Sequence, residues 1–258
     1  EVTAREEQPS VEFKNVSLAY SGSGAPSVEE INFKAMKGQT IGVIGGTGSG
    51  KSSLVNLIPR LYDATQGEVL VDGVNVKDYD IETLRNKVGI VMQKAVLFKG
   101  TIRENMWMGK KGATDEQIDE ALEISQSKEF VDSKEGRLDY PIEQGGKNLS
   151  GGQRQRLTIA RAIVRKPDVL ILDDSASALD FATDAALRKA IRGMNNSPTV
   201  FIVSQRAASL MYADLIIVLD DGQVAGMGTH DELLANCEVY KEIYESQFKK
   251  ADSEGGVA

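Results

Sequence analysis

The chain has 258 residues and carries 30 Lys+Arg against 38 Asp+Glu, a formal net charge of −8, with a pI of about 4.9. Nucleic-acid phosphates are bound by clustered Lys and Arg, so this acidic balance argues against a broad nucleic-acid face. A single cysteine, Cys237, excludes an internal disulfide, and a single histidine, His230, excludes a metal site built of histidines. The longest apolar run, Leu215 to Leu219, is five residues, far short of a membrane span. The polar start, Glu1 to Glu7, has neither an apolar signal region nor an initiator Met, which points to a domain cut from a longer chain.

In chain order, alternation from Val11 to Tyr20 predicts strand broken at Asn15, and Ser21 to Pro26, through Ser23, reads as a loop. Two further strands are expected around Val28 to Met36 and Thr40 to Ile44, then a helix from Lys51 to Leu61. Glu68 to Val71 and Val74 to Val76 form a hairpin about Asp72-Gly73, a turn pair that favours left-handed backbone. A short buried strand, Val88 to Met92, precedes a stretch rich in helix formers from about Thr101 to Val164. Strand and helix then alternate: Val169 to Leu172, Ala182 to Met194, Val200 to Val203. Strands at Leu215 to Leu219 and Gln223 to Ala225 turn at Asp221-Gly222, and Thr229 with Glu232 predicts a capping box opening a helix. The expected organisation is a linker over residues 1–10, a domain over 11–247, and a flexible, frayed tail over 248–258.

Glycine carries the chemistry. Of 25 glycines, eight lie in two short stretches, Gly45, Gly46, Gly48, Gly50 and Gly145, Gly146, Gly151, Gly152. The first belongs to Gly45-Gly46-Thr47-Gly48-Ser49-Gly50-Lys51-Ser52, which fits G-x-x-x-x-G-K-[ST] between a predicted strand and a helix. Such a loop turns successive backbone N–H groups toward a polyphosphate. Lys51 reaches the β- and γ-phosphates and the Ser52 hydroxyl ligates Mg²⁺, with Thr47, Ser49 and Ser53 completing the loop and its first turn. Val169 to Leu172 reads as a buried strand delivering Asp173 to the same Mg²⁺, which takes few protein ligands. A nucleoside triphosphate, ATP, with Mg²⁺ is the implied ligand.

The second glycine cluster contains Leu149-Ser150-Gly151-Gly152-Gln153, which read alone is an N-cap and turn. With the phosphate loop and Asp173 in that order, the chain resembles the ATP-binding domain of an ATP-binding cassette (ABC) transporter of the exporter type, over roughly Val11 to Gln247. The resemblance implies an α/β fold: a P-loop NTPase (RecA-like) core, an N-terminal antiparallel β subdomain and an inserted α-helical subdomain over about 94–164. It further implies that Tyr20 stacks on adenine, and that Gln93 touches Mg²⁺ and the attacking water. Ser150, Gly151 and Gly152 would meet the γ-phosphate of ATP on an opposing cassette, with Gln153, Ser177 and Asp180 at that interface. Partners implied are a second cassette and transmembrane domains reached through the helical subdomain and Gln93. Nucleic acid is not among them. The place implied is the cytoplasmic face of a membrane.

Two positions depart from the family's pattern. After Asp173 the family usually has Glu, the general base; here Asp174 stands, one C–C bond shorter, or roughly 1.5 Å. A misplacement of about 1 Å can cost on the order of a hundredfold in rate. After the Val200 to Val203 strand the family usually has a histidine on the γ-phosphate; Gln205 stands there, able to donate a hydrogen bond but not to carry charge. His230 falls outside that motif and is expected at the surface. Intact binding residues with both catalytic positions altered suggest the slow half of a heterodimeric exporter. A homodimer of ordinary cassettes is the alternative, and a soluble ABC protein of repair or translation a remote one.

Overall fold

The computed structural model describes residues 8–22, 24–175 and 177–254. Along the chain the elements are β1 (Val11–Leu18), β2 (Val28–Ala35), β3 (Thr40–Gly45), α1 (Lys51–Asn56), β4 (Gln66–Val71), β5 (Val74–Asn75), α2 (Ile81–Lys87) and β6 (Val88–Val91). The helical stretch resolves into a two-residue pair, β7 (Gly100–Thr101) and β8 (Pro141–Ile142), with α3 (Ile102–Trp107), α4 (Asp115–Ile124), α5 (Lys128–Asp132) and α6 (Gly151–Ile163). Then come β9 (Val169–Asp173), α7 (Phe181–Arg192), β10 (Thr199–Val203), β11 (Leu215–Asp220), β12 (Gln223–Gly228), α8 (His230–Asn236) and α9 (Glu238–Glu254). Among the described residues no helix is long and apolar enough to cross a membrane.

Contacts divide the chain into two compact units, residues up to Arg85 with those from Thr199 onward, and Asn86–Pro198. In the first unit an antiparallel sheet runs β2-β1-β4-β5. Beside it, β11, β3 and β10 pair in parallel, with β12 antiparallel on β11. Every residue of β3 and β10 is buried, the continuous apolar pattern of strands covered on both faces. The break expected at Asn15 is a bulge within one strand: Asn15 takes φ 48 and the ladder with β2 shifts register there. Asn32 secures it, its side chain accepting from the Asn15 N–H and donating to the Asn15 amide oxygen, both at 2.9 Å. The β4–β5 and β11–β12 turns have Asp then Gly at positive φ, 49 and 75 in one, 45 and 78 in the other.

Three expectations are corrected in this unit. Helix α1 stops at Asn56 rather than Leu61, because Pro59 has no N–H to continue the ladder and Arg60 turns to φ 53. Helix α9 runs past Gln247 to Glu254, so residues 248–254 continue a helix where a frayed tail was expected. His230 is half-buried, not a free surface residue: Nδ1 lies 2.8 Å from the Tyr240 hydroxyl, whose ring is fully buried. The linker's first seven residues, Ser23, and residues 255–258 of the tail lie outside the described residues.

The second unit holds the parallel pair β6–β9 with α3–α7 around it. Its predicted helical span contains caps the sequence pattern did not single out, Thr101 with Glu104 and Thr114 with Gln117, each a reciprocal capping box. Arg161 of α6 and Arg165, two residues past its end, are half-buried and donate to backbone carbonyls, Val96 at 2.9 Å and Val88 at 2.6 Å. Burial pushes both guanidinium pKa values down.

Candidate functional site

In the first unit the phosphate loop leaves the buried end of β3. A Cβ on Gly45 would run into the Leu219 carbonyl and the Ser49 hydroxyl, so the loop turns against β11 there. Gly50 takes φ 99, and a Cβ would meet the Ser27 carbonyl and lie 2.7 Å from Val28 Cγ1. Only glycine holds this left-handed entry to α1 without strain. At Gly46 and Gly48 a Cβ would point into open space, leaving a concave backbone face uncovered by side chains. The Lys51 ammonium sits over that face, donating to the carbonyls of Gly45 at 2.9 Å and Gly46 at 2.7 Å. The Ser49 hydroxyl is buried and has no hydrogen-bond partner among the described residues, the Ser52 hydroxyl belongs to an exposed residue, and Ser53 meets the Tyr20 hydroxyl at 2.9 Å. Tyr20 in turn receives Tyr62 edge-on at 4.9 Å, an aromatic neighbour the sequence reading missed because it lies outside any motif.

Gln205 is brought to this loop by register. Val203 of β10 pairs with Val43 of β3, so two residues further on Gln205 stands level with Gly45. Its Nε2 donates to Thr47 Oγ1 at 3.4 Å. An uncapped loop face, an ammonium and two neutral donors form a cradle suited to polyphosphate.

The second unit repeats the device with β6 and β9. Val91 pairs with Leu172, and two residues on, Gln93 Nε2 donates to Asp174 Oδ2 at 2.9 Å. Asp173 closes the buried strand, and Asp174 follows at φ 46. The Asp174 carbonyl accepts from Ser177 Oγ at 2.9 Å. Within this unit Asp173 ends the strand on a carboxylate, a hard oxygen donor of the kind Mg²⁺ takes. Among the described residues no group of three or more His, Cys, Asp and Glu forms a denser metal site.

The signature opens α6. Ser150 is its N-cap: Oγ accepts from the Gln153 N–H at 3.2 Å, and Gln153 Oε1 accepts from the Ser150 N–H at 3.1 Å. This reciprocal box stiffens the first turn, where the Gly151 and Gly152 N–H groups have no carbonyl of their own helix to bond. Arg154 braces the approach by donating to the Leu149 carbonyl at 2.8 Å. A Cβ on Gly152 would sit 3.3 Å from the Ala178 carbonyl, so the signature and the 177–180 loop adjoin. Asp180 caps α7, accepting from the Thr183 N–H at 2.9 Å and its hydroxyl at 2.8 Å, which hold its carboxyl below the usual range. Phe181 beside it is 80 % exposed.

A family model described as ABC transporter matches residues 28–177. Over 240 residues the chain is 38 % identical to a Staphylococcus aureus protein named as a multidrug export ATP-binding/permease protein, covering 93 % of this chain and 42 % of that one. It is 43 % identical over 244 residues to an uncharacterised ABC transporter ATP-binding protein of Bacillus subtilis, covering 95 % and 42 %. Among solved structures, a bacterial Atm1-family ABC exporter with ATP bound superposes with a TM-score of 0.88 at 31 % identity, over 95 % of this chain and 42 % of that one. The chain thus spans about two-fifths of the length of these relatives.

Proposed function

The chain belongs to the ABC transporter family, and we propose that it is the ATP-binding cassette of an exporter whose own catalytic site is slow. The loop N–H groups and Lys51 would bind the triphosphate and Tyr20 would stack on adenine; Ser52 in the first unit, and Asp173 and Gln93 in the second, carry the oxygens that Mg²⁺ would take. When bound, Mg²⁺ neutralises charge on the β- and γ-phosphate oxygens. Asp174 takes the proton of the attacking water, and Gln205 donates to the γ-phosphate. Ser150, Gly151, Gly152 and Gln153, with Ser177 and Asp180 at the interface, complete the site of a second cassette paired head to tail.

One observation carries the slow-site reading. The Asp174 carboxylate, shorter than the family's usual glutamate, already accepts the Gln93 amide at 2.9 Å. A general base is worth about 10² to 10⁴ in rate, and a shortened base engaged by a neighbour forfeits part of that while ATP binding stays intact. Membrane domains would dock on the second unit, where Met92, Val96, Phe98, Trp107 and Met108 are exposed large apolar residues. Asn105 ties two of these segments, donating to the Phe98 carbonyl at 2.9 Å. Docking there would set the cassette at the cytoplasmic face of the membrane.

Steady-state ATP hydrolysis tests the reading. The double change Asp174→Glu with Gln205→His is expected to raise turnover by about tenfold or more, with ATP affinity nearly unchanged. Robust turnover that this pair does not raise would leave the homodimeric cassette with two ordinary sites as the better reading.

A further inference from the structure

The 204–207 loop is held from the far end of the sequence. Gln247 of α9 donates from Nε2 to the Gln205 carbonyl at 2.7 Å, and its Oε1 accepts the Ala207 N–H at 2.9 Å. One side-chain amide therefore satisfies a carbonyl and an N–H two residues apart, as a neighbouring strand would. It grips the backbone on both sides of Arg206 and leaves the Gln205 side chain on Thr47 of the phosphate loop. Within the loop, Arg206 N–H also donates to Ser204 Oγ at 2.9 Å, so few backbone rotations remain open to Gln205.

The other end of the grip is firm. Tyr240, two turns earlier on α9, is fully buried and its hydroxyl meets His230 Nδ1. His230 also packs against Tyr244 with ring centroids 5.2 Å apart, and Tyr244 against Phe248 at 4.3 Å. The chain's only histidine thus anchors the helix that presents Gln247.

We propose that Gln247 is a positioning residue for Gln205: α9 fixes the loop backbone so that the Gln205 amide is aimed at the γ-phosphate of bound ATP. This rests on the role given to Gln205 above. Because ADP lacks that phosphate, the grip should matter for ATP and not for ADP.

The experiment compares Mg-ATP and Mg-ADP affinities of the chain by calorimetric titration, together with amide exchange over residues 204–207. Gln247→Met is expected to speed exchange at Ala207 and to lower the ATP-to-ADP affinity ratio by about five- to tenfold, the worth of one net hydrogen bond. ADP affinity should stay at the parent value. Gln247→Glu, which still accepts from Ala207 but no longer donates to Gln205, should fall between the two. In a Gln205→Ala background, Gln247→Met should lower the ratio no further, since both changes remove the same contact. Faster exchange with an unchanged ratio, or an equal loss for ATP and ADP, overturns the proposal. A Gln205→Ala ratio equal to the parent's overturns the role of Gln205 itself and the positioning role with it.

Discussion

The phosphate loop and the pair Asp174 and Gln205 do opposite things with side chains. The loop is shaped by backbone: positive φ at Gly48 and Gly50, open space at Gly46 and Gly48, and Lys51 held by its own carbonyls. Asp174 and Gln205 act through their tips, and each tip is held by another side chain, Gln93 and Thr47. A backbone cradle tolerates change outside its glycines and lysine. A side-chain site changes its rate with one methylene or one ring, which is how binding can persist while hydrolysis slows.

The sharpest way to break this contrast is at the loop. Gly50→Ala puts a Cβ at φ 99 against Ser27 and Val28. Strained backbone of this kind costs on the order of 1–3 kcal/mol. Together with the displaced N–H groups it should reduce ATP affinity by about a hundredfold or more in a binding titration. Unchanged affinity would show that the cradle does not depend on this turn.

Asp174→Asn should lower single-turnover hydrolysis by about tenfold, less than the full 10² to 10⁴ of an unhindered base, while ATP affinity holds. A drop of the full size would mean that Asp174, despite the Gln93 contact, works at ordinary efficiency. The signature should respond through its cap. Ser150→Ala removes the acceptor of the Gln153 N–H and is expected to cost about 1 kcal/mol in denaturant unfolding. It should also slow hydrolysis at a partner cassette's site without altering ATP binding to this chain.

The smallest effect concerns the α9 anchor and lies at high pH. Burial, with the neighbouring Tyr244, pushes the Tyr240 hydroxyl up to about 12. A folded pKa above the unfolded value of about 10 stabilises the fold fully below pH 10, and that contribution is lost as pH climbs toward 12. Unfolding free energy should therefore decline across this window, and Tyr240→Phe should flatten the decline while losing the His230 bond at every pH. An equal slope in both proteins would place the titrating group elsewhere.

Much of this was legible in the residues. The turn pairs Asp72-Gly73 and Asp221-Gly222, the Thr229 to Glu232 box and the loop ending in Lys51-Ser52 each depend on neighbours in sequence, so local chemistry declares them. Helix α2 went unread although Asp80 announces it, accepting from the Thr83 N–H at 2.9 Å. Pro59 likewise stood in the span expected to be helical to Leu61, and it is there that the helix cannot go on.

What the sequence by itself determined is which groups are present: a glycine-rich loop ending in Lys51-Ser52, the carboxylates Asp173 and Asp174, an uncharged Gln205 and a capped Ser150 to Gln153 turn. Only the tertiary structure decided which of these groups touch. Gln93 meets Asp174 across 81 positions because the β6–β9 register aligns Val91 with Leu172. Gln205 reaches Thr47 across 158 positions because β10 and β3 align Val203 with Val43. Parallel register comes from how whole strands bury their faces together, a property of the packed sheet and not of any local run of residues. The helix end at Gln247 joined the same loop for the same reason: its amide found partners only once α9 had been seated by Tyr240 and His230.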